Sequence, residues 1–315
     1  MRLTGGSLPP QVAPVAQSTQ SAERRRQVAN DARSPAVRRT LAIVLVLNAL
    51  VAASKIFVGA HTGSLTVLGA ALESGLDMFN NVIGMSLIAV AGRGPDEDHP
   101  YGHDKFETLG ALGIVGFLSI SCFELLREGI TSLISGSAPH HVDSTELGII
   151  AATLVVNMFV VWYERRRGHE LGSVFLLADA SHTAGDILVT LMALASLALS
   201  RTGYVHLDAL LAIGVALIIA WSGAQILRAS IPILVDERAI DARQLRGVVL
   251  GVPQIHDVRN VRSRSTASGQ LFAEVTVAVS GKISVDQAHQ LADAVEAAIE
   301  HEFGTSQVTV HVEPA

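Results

Sequence analysis

The chain has 315 residues, 49% of them hydrophobic but only 4% aromatic, with a mean hydropathy of +0.41 and a formal charge of −6. That balance suits an integral membrane protein carrying a smaller soluble part, and the net charge averages over both. The single cysteine, Cys122, excludes an internal disulfide and any cysteine-based metal site.

In chain order, residues 1–37, rich in Gln, Ser, Ala and Arg, are expected to form a disordered basic tail. No signal peptide is expected, because the arginines follow a polar stretch rather than opening an apolar one. A hydrocarbon core of about 30 Å needs roughly 20 residues of helix. Six stretches qualify, at about 40–60, 65–91, 109–134, 147–163, 174–199 and 207–227, and residues 38–235 are assigned to a six-helix transmembrane domain. Arg24, Arg25, Arg26, Arg33, Arg38 and Arg39 precede the first span, Arg93 and Lys105 flank the second loop, and Arg165, Arg166 and Arg167 follow the fourth. By the positive-inside rule both termini are then cytoplasmic. The outer loops carry Arg201, and His140 with His141, read as solvated loop residues.

From Asp236 the pattern changes. A helix at 241–250, strands at 258–265 and 271–279, an amphipathic helix at 284–303 and a strand at 307–312 give an αββαβ unit, a small ferredoxin-like α+β domain over 236–315.

Two pairs inside spans carry chemistry. Glu73 and Asp77 lie in the second span, His182 and Asp186 in the fifth, each pair spaced i, i+4 and so on one helix face. Ionisable groups at membrane depth cost roughly 2.5–3.5 kcal/mol each on insertion scales and mark ion or proton paths. Neither span contains Lys or Arg, so the carboxylates need a cation, protons or both. Three carboxylates and an imidazole make a four-ligand site for a divalent metal. A proton on His182 competes with the metal, which points to exchange of metal for protons. Asp179 reads as a group next to the ligands or near the membrane surface, and Asn48, Asn80 and Asn81 as helix–helix hydrogen-bonding residues. Lys55 reads as snorkelling outward, and Asp208 as an exposed helix start. An enzyme is not expected: no HExxH pattern occurs, and four ligands leave no open position for water. A non-transporting membrane scaffold or sensor of the same fold is the alternative class.

The run from Ser64 through Glu73 to Asp77, the loop Asp96-Glu-Asp-His99-Pro-Tyr-Gly-His103-Asp-Lys105-Phe-Glu107 and the segment Ala178-Asp-Ala-Ser-His182-Thr-Ala-Gly-Asp186 resemble the cation diffusion facilitator family. The resemblance covers the chain from the first span to the C-terminus. It implies a homodimer in a bacterial inner membrane, a metallochaperone-like cytoplasmic domain, and export of a divalent metal, foremost Zn²⁺ and otherwise Fe²⁺, Cd²⁺ or Co²⁺, in exchange for protons. The metal is then the transported substrate and a regulatory ligand, and no cofactor is implied. Glu73, Asp77, His182 and Asp186 fall where that family places its transport site, with Glu73 standing in for the more usual Asp or His. Asp96, His99 and His103 resemble a secondary loop site, against the plain reading of a Pro100–Gly102 turn with solvated histidines. Lys105 and Asp236 resemble an ion pair joining the two domains. His289, His311 and Glu313 match part of a zinc cluster in the cytoplasmic domain, where Arg259 and Thr276 replace expected histidines and His256 is out of register.

Overall fold

The computed structural model describes residues 16–62, 65–135, 144–199, 207–304 and 306–315, and the side chains of most of them; those of Glu73 and Asp208 fall outside the described set, as do His140 and His141 altogether. The chain divides into two compact units, one of residues 32–237 with 265–269, the other containing 238–264 and 270–315.

The first unit is helical: α1 (Ala16–Thr62), α2 (Leu65–Ala91), α3 (Lys105–Ser135), α4 (Ser144–Leu171), α5 (Val174–Leu199) and α6 (Leu207–Leu234). Each contains a segment long and apolar enough to cross a membrane. Large apolar side chains face outward along them, such as Leu50, Phe57, Leu72, Phe123, Trp162 and Trp221, which is the pattern of helices whose solvent is lipid. Of the expected tail, residues 1–15 lie outside the described residues, and residues 16–37 are helical and belong to α1. The Ala, Gln, Glu and Arg of that stretch are strong helix formers, and the apolar span that follows continues the same helix.

Small residues let the helices approach. The core runs through Val37, Leu41, Ile88, Ala111, Leu118, Phe175, Leu176, Ala178, Ala216 and Ile219. The Phe175 ring sits over Gly84 of α2 and Gly110 of α3, and a Cβ at Gly110 would meet the ring at 2.8 Å. This contact seats the start of α5 against both α2 and α3. Nearby, Arg33 of α1 forms a two-pronged pair with the buried Glu107 of α3, at 2.8 and 3.2 Å, and its Nε donates to the Leu171 carbonyl at 2.7 Å. The Ser173 hydroxyl donates to the same carboxylate at 2.6 Å. Lys105 Nζ donates to Asp236 Oδ1 at 3.0 Å and to the Leu234 carbonyl at 3.4 Å, tying the start of α3 to the end of α6. Both partners of that pair belong to the helical unit.

The second unit contains α7 (Ala242–Leu250), β1 (Asp257–Ser265), β2 (Leu271–Val279), α8 (Val285–Phe303) and β3 (Ser306–Pro314), in the αββαβ order expected. The sheet order is β1-β2-β3, with β2 and β3 parallel and joined through α8. Gly269, at φ +82°, supplies the left-handed residue of the short β1–β2 turn. Asp241 caps α7, and Ser284 with Gln287 forms a capping box on α8. Leu245 and Val249 of α7 and Val295 and Ile299 of α8 pack with Val275, Val277 and Val279 of the central strand.

Arg33→Met is expected to destabilise the helical unit by about 3–5 kcal/mol, because it strands a buried carboxylate. Pairing it with Glu107→Leu recovers most of that loss. Thermal unfolding of the detergent-solubilised chain separates the two cases.

Candidate metal sites

Asp77 projects from α2 and His182 from α5, and they meet with Nε2 and Oδ1 3.5 Å apart. One ligand atom each from Asp77, His182 and Asp186 can be chosen so that all three lie within 4.8 Å of one another. The i, i+4 spacing on α5 stacks His182 over Asp186 and aims both at α2. Glu73 lies one turn before Asp77 on the same face of α2, with its side chain outside the described set. His182 is 12% exposed and Asp77 32%, and His182 Nδ1 is buried with no hydrogen-bond partner. Three clustered ligands with an unsatisfied imidazole nitrogen suit capture of a cation better than a finished internal network.

The polar cavity beside this trio is lined by Asn48, Asp77, Asn80, Asn81, Asn157, Asp179, His182 and Thr183. Asn48, Asn80 and Asn81, expected only to tie helices together, therefore also wet the approach to the ligands. Asn81 Nδ2 donates to the Asp77 carbonyl at 3.2 Å, while its Oδ1 has no partner. Lys55 does not snorkel outward. It is 7% exposed, and its Nζ donates to Ser74 Oγ at 2.8 Å and to the Ala70 carbonyl at 3.2 Å, which brings a cation to the face of α2 that carries the ligands. Asp179 is buried, and it faces Glu164 of α4. Asn157 escaped the sequence reading as a lone polar residue on a span and Glu164 as one charge of the Glu-Arg-Arg-Arg run that ends it, and only the packing of α4 on α5 gives them neighbours.

The loop after α2 gathers a second trio, Asp96, His99 and His103. Asp96 Oδ1 accepts from the His99 backbone N–H at 2.7 Å and lies 3.2 Å from its Nδ1, while Oδ2 lies 3.3 Å from His103 Nε2. The backbone N–H of His99 foremost, and the two imidazoles beside it, hold the Asp96 carboxyl below the usual carboxylate range. This exposed carboxylate therefore stays ionised down to more acid pH than a free aspartate, and its hold on the loop is lost only as pH falls through that lowered value. His103 is buried and its Nδ1 lies 3.2 Å from the Gly94 carbonyl. A hydrogen on Nδ1 donates there and leaves the Nε2 lone pair facing Asp96, an arrangement that a proton or a metal ion between them stabilises. The plain turn reading of Pro100 and Gly102 holds for the backbone, with Gly102 at φ +85°, yet one of the two histidines is buried rather than solvated.

The cytoplasmic trio is not assembled within one chain. The β2–β3 register pairs Thr276 with His311 and Ala278 with Glu313, whereas Val275, Val277, Val310 and Val312 face the helices. Strand alternation thus puts His311 and Glu313 on the face away from α8, the helix that carries His289. Glu313 is held by Arg259 at 3.2 Å and lies 3.6 Å from His311, and His289 has Asp293 as a neighbour at 3.8 Å. Arg259 also pairs with Asp257, so it stands as a cation where a metal ligand was expected.

With this geometry, the chain matches the model of the cation efflux transmembrane domain over residues 41–235 and that of the cation efflux protein cytoplasmic domain over 238–315. The chain belongs to the cation efflux family of membrane transporters. It is 32% identical over 281 residues to an uncharacterized transporter of Synechocystis, covering 86% of this chain and 89% of the relative. It is 28% identical over 282 residues to the cation-efflux pump FieF of Escherichia fergusonii, covering 88% and 93% of the two. Among solved structures, a double variant of the MamM C-terminal domain is 24% identical, covers 23% of this chain and 88% of its own, and superposes with a TM-score of 0.22.

Metal per chain after equilibrium dialysis checks the assignment. Asp96→Ala and His182→Ala are each expected to lower bound Zn²⁺ by up to one ion, one for each trio, and Glu313→Ala to leave it unchanged.

Proposed function

We propose that this cation efflux protein exports a divalent transition metal from the cytoplasm in exchange for protons, with Zn²⁺ as the first substrate and Fe²⁺, Cd²⁺ and Co²⁺ as further ones. The observation that carries the reading is the meeting of Asp77, His182 and Asp186 between two spans. Asp77 and Asp186 supply negative charge, His182 a borderline nitrogen that favours Zn²⁺ over the harder Mg²⁺ or Ca²⁺, and Glu73 completes the set from one turn earlier on α2. Because the ligands sit on separate helices, a shift of α2 against α5 breaks the set and releases the ion. That supports alternating access, with the cavity opening to one side at a time. A proton arriving on His182 replaces the metal as the partner of the carboxylates, which couples the two flows.

The trio of Asp96, His99 and His103 is assigned a second ion that braces the loop between α2 and α3. The family resemblance supports a homodimer with both termini in the cytoplasm. No catalytic residue is assigned.

Metal uptake into proteoliposomes with and without an imposed pH gradient tests the proposal. Zn²⁺ flux is expected to follow the gradient and to vanish in Asp186→Ala. Flux that ignores the gradient would remove the antiport step, and no flux for any ion despite a folded, metal-binding protein would favour a scaffold or sensor. Glu73→Asp shortens one ligand by a methylene, and it is expected to retain flux while changing the order of preference among Zn²⁺, Cd²⁺ and Fe²⁺.

A further inference from the structure

One buried acid has no part in either trio. Glu164 lies two turns before the end of α4, has no exposed surface, and neither of its carboxylate oxygens meets a hydrogen-bond donor of another residue. Facing it within hydrogen-bonding reach is Asp179 of α5, which is 5% exposed and whose Oδ2 is likewise unsatisfied. Of the three arginines that follow it, Arg166 and Arg167 both pair with Glu170, at 3.0 and 2.7 Å, and Arg165 is exposed. Among the described residues, Glu164 is acted on only by Asp179, and Asp179 also by His182 on its own helix and Asp77 of α2; no charged group of α3 or α6, the other helices packed on α5, acts on either carboxyl.

Two neighbouring carboxylates, buried and without a cation, cannot both be ionised. A single shared proton removes the repulsion and supplies the missing donor, since a neutral carboxylic acid presents one O–H. We propose that Glu164 is a proton-binding site, held as the neutral acid with its O–H donated to the Asp179 carboxylate, and that its proton is coupled to occupancy of the Asp77–His182–Asp186 site. Asp179 carries the coupling, because it lines the same polar cavity as Asp77 and His182 and stands one turn before His182 on α5. A doubly charged ion arriving at the trio acts on this pair through apolar surroundings that screen poorly, and it favours loss of the Glu164 proton. The step is a proton transfer only: the Glu164 O–H bond breaks, the proton passes to the cavity water and outward, and a carboxylate remains until the metal leaves. The coupling rests on the transport reading of the trio, while the shared proton does not.

Infrared difference spectroscopy of the full chain in liposomes at neutral pH tests both parts. The wild type is expected to show a C=O stretch of a neutral carboxylic acid that Glu164→Gln loses and Glu164→Asp retains, and saturating Zn²⁺ is expected to diminish that band. In parallel, the wild type is expected to release up to one more proton per Zn²⁺ bound than Glu164→Gln, measured in weakly buffered solution. Identical carboxylic-acid spectra for wild type and Glu164→Gln would overturn the proton site. A Glu164-dependent band unaltered by bound Zn²⁺, with equal proton release in the two proteins, would overturn the coupling. A band lost in Glu164→Gln beside a wild type that binds no Zn²⁺ would uphold the shared proton and remove the metal reading instead.

Discussion

Everything in the helical unit answers to the cost of keeping charge among apolar helices. Glu107 is buried, and it is matched by a two-pronged arginine and a serine hydroxyl, which makes it a clamp across α1, α3 and the α4–α5 turn. Asp77, His182 and Asp186 are treated differently, since the protein gathers them but leaves the buried His182 Nδ1 without a hydrogen-bond partner. A structural cluster closes its own hydrogen bonds, whereas a transport site has to leave them for a passenger. Glycines under Phe175 hold α5 close to α2 and α3, so the open cluster rests on a tightly packed frame.

The cytoplasmic unit follows another logic. Its core is a valine-rich strand pressed against two capped helices. Arg259 supplies a fixed positive charge to Glu313 and Asp257 on the side of the sheet away from the helices. A guanidinium cannot leave or be exchanged as a metal ion can, so the positive charge beside Glu313 is a fixed one.

The six spans and the αββαβ order were legible because apolar length and strand alternation are strong local signals. The two ligand pairs were legible for a related reason: i, i+4 spacing on a helix fixes a shared face before any tertiary structure is known. Other features depended on distance in space. Lys55 was read as an outward-reaching lysine, because nothing in α1 alone reveals the Ser74 hydroxyl and Ala70 carbonyl that draw it inward. Glu164 sits beside three arginines and reads as part of a charged helix end until the packing of α4 on α5 turns it away from them toward Asp179. The helix before the first span was missed because a polar, arginine-rich composition also describes a tail. That His311 and Glu313 lie on the face of the sheet away from α8, which carries His289, shows only once the β2–β3 register is known.

In the proposed transport site, one imidazole and a set of carboxylates between α2 and α5 hold the ion. Zinc X-ray absorption on the full chain carrying Asp96→Ala and His103→Ala, loaded with less than one Zn²⁺ per chain, tests it most directly. Four-coordinate zinc is expected, with a single nitrogen at about 2.0–2.1 Å and oxygens for the rest, and that nitrogen is expected to be lost when His182→Ala is added. Two or more imidazole nitrogens, or a spectrum unchanged by His182→Ala, would contradict it.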